Sequence, residues 1–396
     1  GWAGLIFSVY AINFLWAPLV DRVKIPYLSN RIGHRKSWII LMQTIILISL
    51  AAWSVLNPAV NLWLIILIGL GIAISSATQD ITIDALRIEQ IKKNESQAMA
   101  AGAAVQVVGW WTGYKIGGAI SLISAEFFQQ KGLENYWQMS FLLMSLIVII
   151  SSIALFFVPE KDSKKRNIAQ RKNDYILLKK LKIKNQFSKI FVWIYGTVCN
   201  PLISFFKKNS LEVAIGLLSF IFLFKIGEAF LGRMSIIFYK EIGFTKTDIA
   251  LYSKGVGWIT TITFTLLGGL FAIRMGLLKA MFVSGIIMSL TNLMFSVLSW
   301  VGNSELLFAF TVLLDDLAAA FATVAFVAFI SALVDRTYTA TQFALLASIG
   351  TAGRTLFSSS SGSLVDWLNG DWGIFFILTA LMVIPSLVLL FLIRKK

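Results

Sequence analysis

Residues 187–206 read FSKIFVWIYGTVCNPLISFF, twenty residues apolar enough to cross a bilayer core about 30 Å thick. Whether they cross decides the fold, because one extra span would reverse the side of every later loop. Lys189, Asn200 and Pro201 interrupt the run, and Lys184 and Lys207 flank it. A charge and a helix-breaking residue inside so short a stretch suit a helix lying in the membrane interface. The segment is therefore read as an interfacial amphipathic helix within a basic linker, residues 159–209.

Outside that linker the chain is built for lipid. Of its 396 residues 57% are hydrophobic and 14% charged, more apolar surface than a water-soluble core of this size can hide. Runs long enough to span fall near 2–19, 37–56, 62–84, 97–124, 137–158, 211–237, 247–273, 278–300, 305–334, 340–366 and 373–393. With the 20–36 loop inside and the sides alternating, 27 Lys and Arg lie on the cytoplasmic side and only Lys131, Lys240 and Lys246 outside. The linker and the C-terminus are thus cytoplasmic. The same asymmetry accounts for the net charge of +15 through anionic headgroups, with no nucleic-acid partner. One cysteine, Cys199, excludes an internal disulfide, and one histidine, His34, without a ligand cluster argues against a metal. No nucleophile with its base appears, so neither an enzyme nor a cofactor is expected.

Eleven spans divide five and six around the linker. The chain opens with Gly1, not Met, inside an apolar segment, and one helix before it would complete six plus six. That is an all-α membrane protein of the major facilitator fold, two six-helix bundles related as repeats. Residues 1–158 would form the N-terminal bundle (helices two to six), 159–209 the linker, and 210–396 the C-terminal bundle (helices seven to twelve). A trace of the repeat survives at an offset of 245 residues. Asn94 to Gln97 and Thr339 to Gln342 both resemble capping boxes, and Gly117 falls opposite Gly362.

Five acids (Asp80, Asp84, Glu228, Asp315, Asp316) and five bases (Lys115, Lys225, Arg233, Lys254, Arg354) lie within the spans. Charges facing lipid cost at least about 2.5 to 3.5 kcal/mol at the bilayer centre, so they line a cavity or pair. They occupy helices four, five, seven, eight, ten and eleven and leave three, six, nine and twelve, the outer helices of this fold, uncharged. Structural roles compete. Lys225 and Glu228 share a helical face and can pair. Arg233 and Lys254 sit where long side chains snorkel to headgroups. Asp84 can simply hold Arg87. Asp80, Lys115, Asp316 and Arg354 lie deeper and are assigned function. Gly109, Gly113 and Gly117 form a stripe for helix packing, from which Lys115 points roughly 160° away. Trp110 and Trp111 suit either a sugar face or belt anchoring.

The loop between helices two and three carries WAPLVDR, residues 16–22, and GHRKSW, residues 33–38. They resemble the major facilitator signature whose acid and bases latch helices together on the cytoplasmic side. Asp21, Arg22, Gly33, Arg35 and Lys36 are assigned to that gate. A degenerate second copy, Gly268, Gly269, Arg274 and Gly276, adds Arg274.

SATQDITIDALRIE (76–89), KIGEAF (225–230), LLDDLAAAFATVAFVAF (313–329) and TATQFALLASIGTAGR (339–354) together resemble the AmpG-type muropeptide permeases. The resemblance implies a transporter of the bacterial inner membrane importing N-acetylglucosaminyl-anhydro-N-acetylmuramyl peptides by alternating access, driven by protons. Cavity bases Lys115, Lys225 and Arg354 would meet peptide carboxylates, and Trp110 and Trp111 the sugars. Asp80, Glu228 or Asp316 would carry the proton. Its partners would be substrate, protons and lipid, and a monomer is expected. The chain departs from the family at Trp111, where a base is usual, and at the serines 358–361, where small Gly and Pro residues are usual. The TQDI motif also resembles acetyl-CoA transporters, so another cargo, or an inactive or sensing relative, is the alternative.

Overall fold

The structure is a computed structural model that describes residues 9–57, 60–161, 163–180, 186–249 and 257–395. Among these residues the regular structure is entirely helical. The chain forms two compact units.

The first unit takes residues 1–92, 113–208 and 334–348. A 3-10 turn at Asn13–Leu15 interrupts helix two just before α1 (Ala17–Arg22), where Pro18 occupies the first turn and removes an amide donor. After the short α2 (Leu28–Arg31), α3 (His34–Trp53) packs along α4 (Leu62–Gln90) and α6 (Tyr136–Phe156). Ala17, Val20, Ile81, Ala85, Ala340 and Ala344 form one buried cluster. Such small side chains let backbones approach closely where apolar surface alone gives no preference for protein over lipid. Leu146, Ile150, Ile153 and Phe156 stay exposed along α6, as a lipid-facing helix requires. Residues 187–206 do form a helix, within α8 (Gln186–Lys208), preceded by α7 (Lys164–Lys180). Val192 and Phe205 are buried in α8, while Trp193, Ile194 and Val198 are exposed. Helix five is the single long α5 (Ser96–Gln130), whose residues 113 onward belong here.

The second unit takes residues 93–112, 209–333 and 349–396. Its elements after α5 are α9 (Leu211–Leu223), α10 (Ile226–Glu241), α11 (Lys246–Ile249), α12 (Gly257–Met275), α13 (Leu277–Val301), α14 (Glu305–Leu333), the second half of α15 (Thr339–Ser358), α16 (Ser361–Trp367), α17 (Trp372–Leu381) and α18 (Ile384–Lys395). An aromatic core fills it. The Phe238 ring lies 4.8 Å from Phe376 and 5.3 Å from Trp372, and Tyr239 lies 4.7 Å from Phe308, mostly in edge-on or tilted pairs.

Three expected spans are interrupted rather than continuous. The 211–237 run breaks at Phe224 and Lys225, the 340–366 run at Ser359 and Ser360, and the 373–393 run at Met382 and Val383. Pro385 explains the last break, since its ring clashes with the carbonyl four residues back. At the serines, hydroxyls of Ser359, Ser360 and Ser361 each donate to the carbonyl three residues back, at 2.6 to 2.7 Å. These bonds compete with the helical ladder.

Among the described residues, seven segments are long and apolar enough to cross a membrane: His34–Trp53, Leu62–Gln90, Tyr136–Phe156, Leu211–Glu241, Leu277–Val301, Glu305–Leu333 and Trp372–Arg394. The expected count of eleven also includes α5 and α15, which are more polar, and two spans that run partly outside the described residues. Lys254 lies outside them.

Candidate functional site

In the second unit, α10, α14 and α15 enclose a cavity of about 410 Å³, within the usual size of small-molecule sites. Glu228, Gly232 and Arg233 face it from α10, Asp315 and Ala319 from α14, and Arg354, Thr355 and Ser358 from α15. Each set follows helical spacing, which is why residues so far apart in sequence share one wall. Lys225 sits at the break before α10. Its ammonium lies 3.0 Å from Glu228 Oε2, donates to Oε1 at 3.3 Å, and donates to Thr323 Oγ1 on α14 at 2.7 Å. The expected ion pair therefore forms, and it is held by the neighbouring helix. Glu228 Oε2 is buried and accepts no directed hydrogen bond among the described residues. Close backbone packing supports the break. A Cβ on Gly353 would collide with the Phe222 carbonyl, and one on Gly227 with the Thr379 carbonyl.

The cavity brings together Glu228 and Arg354, two of the candidate residues, with two to which the sequence assigned no binding role. Asp315 lines it, whereas the adjacent Asp316 is half-buried and does not. Arg233, read as snorkelling, also lines it. The signal was available for Arg233, which falls four residues after the lining Ala229. Lys115 and Asp80 belong to the first unit, both half-buried. Asp80 makes no hydrogen bond or ion pair among the described residues. Trp110 is exposed and meets Trp111 edge-on at 4.9 Å. Among the described residues no neighbouring helix comes within 4 Å of a Cβ on Gly109, Gly113 or Gly117, so the stripe is not a tight seam against them; a close approach occurs at Ala104, 2.5 Å from a Cβ on Gly269.

The first unit holds a buried charge network around the loop motif. Arg35 is fully buried; its Nη2 donates at 2.6 Å both to Asp21 Oδ1 and to Glu89 Oε1, and its Nη1 donates to the Val20 carbonyl at 2.9 Å. Asp21 in turn caps α15, accepting from the amides of Ala340 at 3.1 Å and Thr341 at 2.8 Å and from the Thr341 hydroxyl at 2.6 Å. Remote carboxylates can satisfy the free amides of a helix start as a local cap does. The linker joins this network. Arg166 of α7 donates to Glu89 at 2.9 and 3.1 Å, Gln170 donates to the Thr337 carbonyl at 2.9 Å, and Asp174 pairs with Arg22 at 2.6 Å. Three guanidiniums thus face three carboxylates. Burial and the nearby Arg35 pull the Arg166 pKa below its ordinary value, with Glu89 and Asp21 opposing.

Gly33 serves the neighbouring helix start. Glu160 from beyond α6 accepts the Arg35 amide at 2.8 Å and the Lys36 amide at 3.0 Å, capping α3. A Cβ on Gly33 would collide with that carboxylate, and its φ of +107° favours glycine besides. The Lys36 side chain donates to the Phe156 carbonyl at 3.3 Å. Arg274 is exposed and makes no hydrogen bond or ion pair among the described residues. Asp84 pairs with Arg87 at 2.8 Å, the structural role expected of it.

The profile of the Major Facilitator Superfamily matches residues 1–252. A Rickettsia felis protein named as an AmpG transporter is 34% identical over 387 residues, 98% of this chain and 86% of the relative. The chain belongs to the AmpG family of the Major Facilitator Superfamily. The anhydromuropeptide permease of Escherichia coli is 28% identical to this AmpG-family chain over 396 residues, covering all of it and 72% of the permease. Among solved structures, the proton:xylose symporter XylE aligns with a TM-score of 0.64 at 14% identity, over 98% of this chain and 85% of that one. The Escherichia coli fucose:proton symporter FucP aligns at 0.65 and 12%, over 99% and 90%. At these identities the likeness shows the fold, which is the major facilitator fold. The AmpG-family chain is a multi-pass membrane transporter and not an enzyme.

Proposed function

We propose that the chain imports cell-wall turnover muropeptides, N-acetylglucosaminyl-anhydro-N-acetylmuramyl peptides, from periplasm to cytoplasm across the bacterial inner membrane, by alternating access coupled to protons. The observation that carries this reading is the cavity that gathers Arg233 and Arg354 with Glu228 and Asp315 in a relative of a named anhydromuropeptide permease. Guanidiniums bind carboxylates in two-pronged fashion, so Arg354 and Arg233 suit the peptide acids of such a cargo. Lys115 and Lys225 add charge, and Trp110 and Trp111 offer ring faces for the sugars. Carboxylates inside a span carry protons when their partners change, which assigns coupling to Glu228 with Asp80, Asp316 and the cavity-lining Asp315 as further candidates.

Opening and closing is assigned to the Asp21, Arg22, Gly33, Arg35 and Lys36 motif, with Arg274 engaging in another state of the cycle. The bundles 1–158 and 210–396 would be the moving bodies of a monomer, joined by the cytoplasmic linker 159–209. The test is uptake of radiolabelled anhydro-disaccharide tripeptide by right-side-out vesicles, with and without a protonophore. Uptake lost with the gradient supports the reading; protonophore-insensitive uptake removes the coupling, and transport of CoA thioesters instead would overturn the cargo.

A further inference from the structure

At one end of the second unit, α13 and α18 run alongside each other and leave a groove of about 260 Å³. Leu278, Phe282 and Val283 of α13 and Leu390 and Phe391 of α18 make its apolar walls. Lys279, in the first turn of α13, and Arg394, in the last turn of α18, line the same groove. The spacing 278, 279, 282, 283 on one helix and 390, 391, 394 on the other brings each set to a single face. The two helices are antiparallel, so both charges lie at the same membrane surface. Both are exposed, and neither makes a hydrogen bond or ion pair among the described residues. The apolar face continues from Phe282 along α13 through Ile286, Leu290 and Val297, which are exposed.

We propose that this groove binds an anionic phospholipid. The phosphate would bridge Lys279 and Arg394, and one acyl chain would follow the groove and the exposed stripe below it. Two cations without a bonded partner among the described residues, above a strip of apolar surface, match a lipid that is anionic at its head and apolar beneath, whereas isolated snorkelling bases would not converge on one concavity. In the orientation expected from the charge asymmetry this is the cytoplasmic leaflet. The site is separate from the transport cavity and does not depend on the cargo.

The test is native mass spectrometry of the purified chain titrated with phosphatidylglycerol or phosphatidylethanolamine of identical acyl composition. Wild type is expected to retain one phosphatidylglycerol at least about fivefold more strongly. Lys279→Ala with Arg394→Ala should abolish that preference, and the charge-keeping Lys279→Arg with Arg394→Lys should preserve it. Removing two exposed linker bases, Lys172→Ala with Lys179→Ala, should leave it unchanged. Equal retention of the two lipids by wild type, or an equal loss in the linker variant, would overturn the site. Competition by soluble glycerol phosphate at the same concentration would show a phosphate site and overturn the lipid assignment.

Discussion

Asp21 and Thr341 are 320 residues apart and share two hydrogen bonds, from the Thr341 amide at 2.8 Å and its hydroxyl at 2.6 Å. The same carboxylate pairs with buried Arg35 at 2.6 Å. One acid therefore both neutralises a buried guanidinium and caps the start of α15. Replacing it by Asn keeps the size and removes one of the two carboxylates on Arg35; breaking a buried pair typically costs about 3 to 5 kcal/mol, and the retained Glu89 pair offsets part of that loss. Asp21→Asn is expected to lose most uptake and to unfold at lower denaturant. Arg35→Ala should lose a similar amount, and the double variant should lose less than the sum, as a double-mutant cycle in detergent will read.

Gly33 and Gly276 separate backbone strain from collision. Both have positive φ, +107° and +79°, but only Gly33 has a carboxylate where a Cβ would sit, that of Glu160. Gly33→Ala should reduce membrane levels of folded protein clearly more than Gly276→Ala. Equal effects in a fluorescence size-exclusion assay would assign the cost to φ alone.

Adjacent acids on α14 are expected to behave unequally. Asp315 lines the cavity and Asp316 does not. Asp315→Asn should lower muropeptide uptake at least about tenfold more than Asp316→Asn, with both variants at wild-type membrane levels. The reverse order would assign the working acid to Asp316.

Arg354 lines the same cavity from α15. Arg354→Ala should abolish uptake without altering insertion, and Arg354→Lys should restore only part of it, because a point charge replaces a planar fork. Normal uptake by Arg354→Ala would remove the cavity from the transport path.

The linker supplies a topology test at an exposed position of α7. Lys172 is exposed, whereas Gln170 is buried in the charge network. Lys172→Cys in a Cys199→Ser background should react with an impermeant maleimide only when the cytoplasmic face is open. Labelling from the periplasm would reverse the orientation.

Hydropathy along the chain was enough to determine that it is a helical membrane protein and where most helices run, residues 187–206 included. Those properties are local: twenty apolar residues prefer lipid whatever packs beside them. Lys225 with Glu228 and Asp84 with Arg87 were legible for the same reason, since three residues bring side chains onto one helical face. The choice of Asp315 over Asp316 was not, because which face of α14 turns toward α10 depends on how helices pack. Nor could sequence pair Arg166 with Glu89 or Asp174 with Arg22, contacts spanning 77 and 152 residues. The breaks at Lys225 and at the serines 358–361 were likewise hidden, since backbone groups leave the helical ladder only where neighbouring carbonyls, hydroxyls and side chains take up their bonds. Composition decided the solvent, and tertiary packing decided which charges meet.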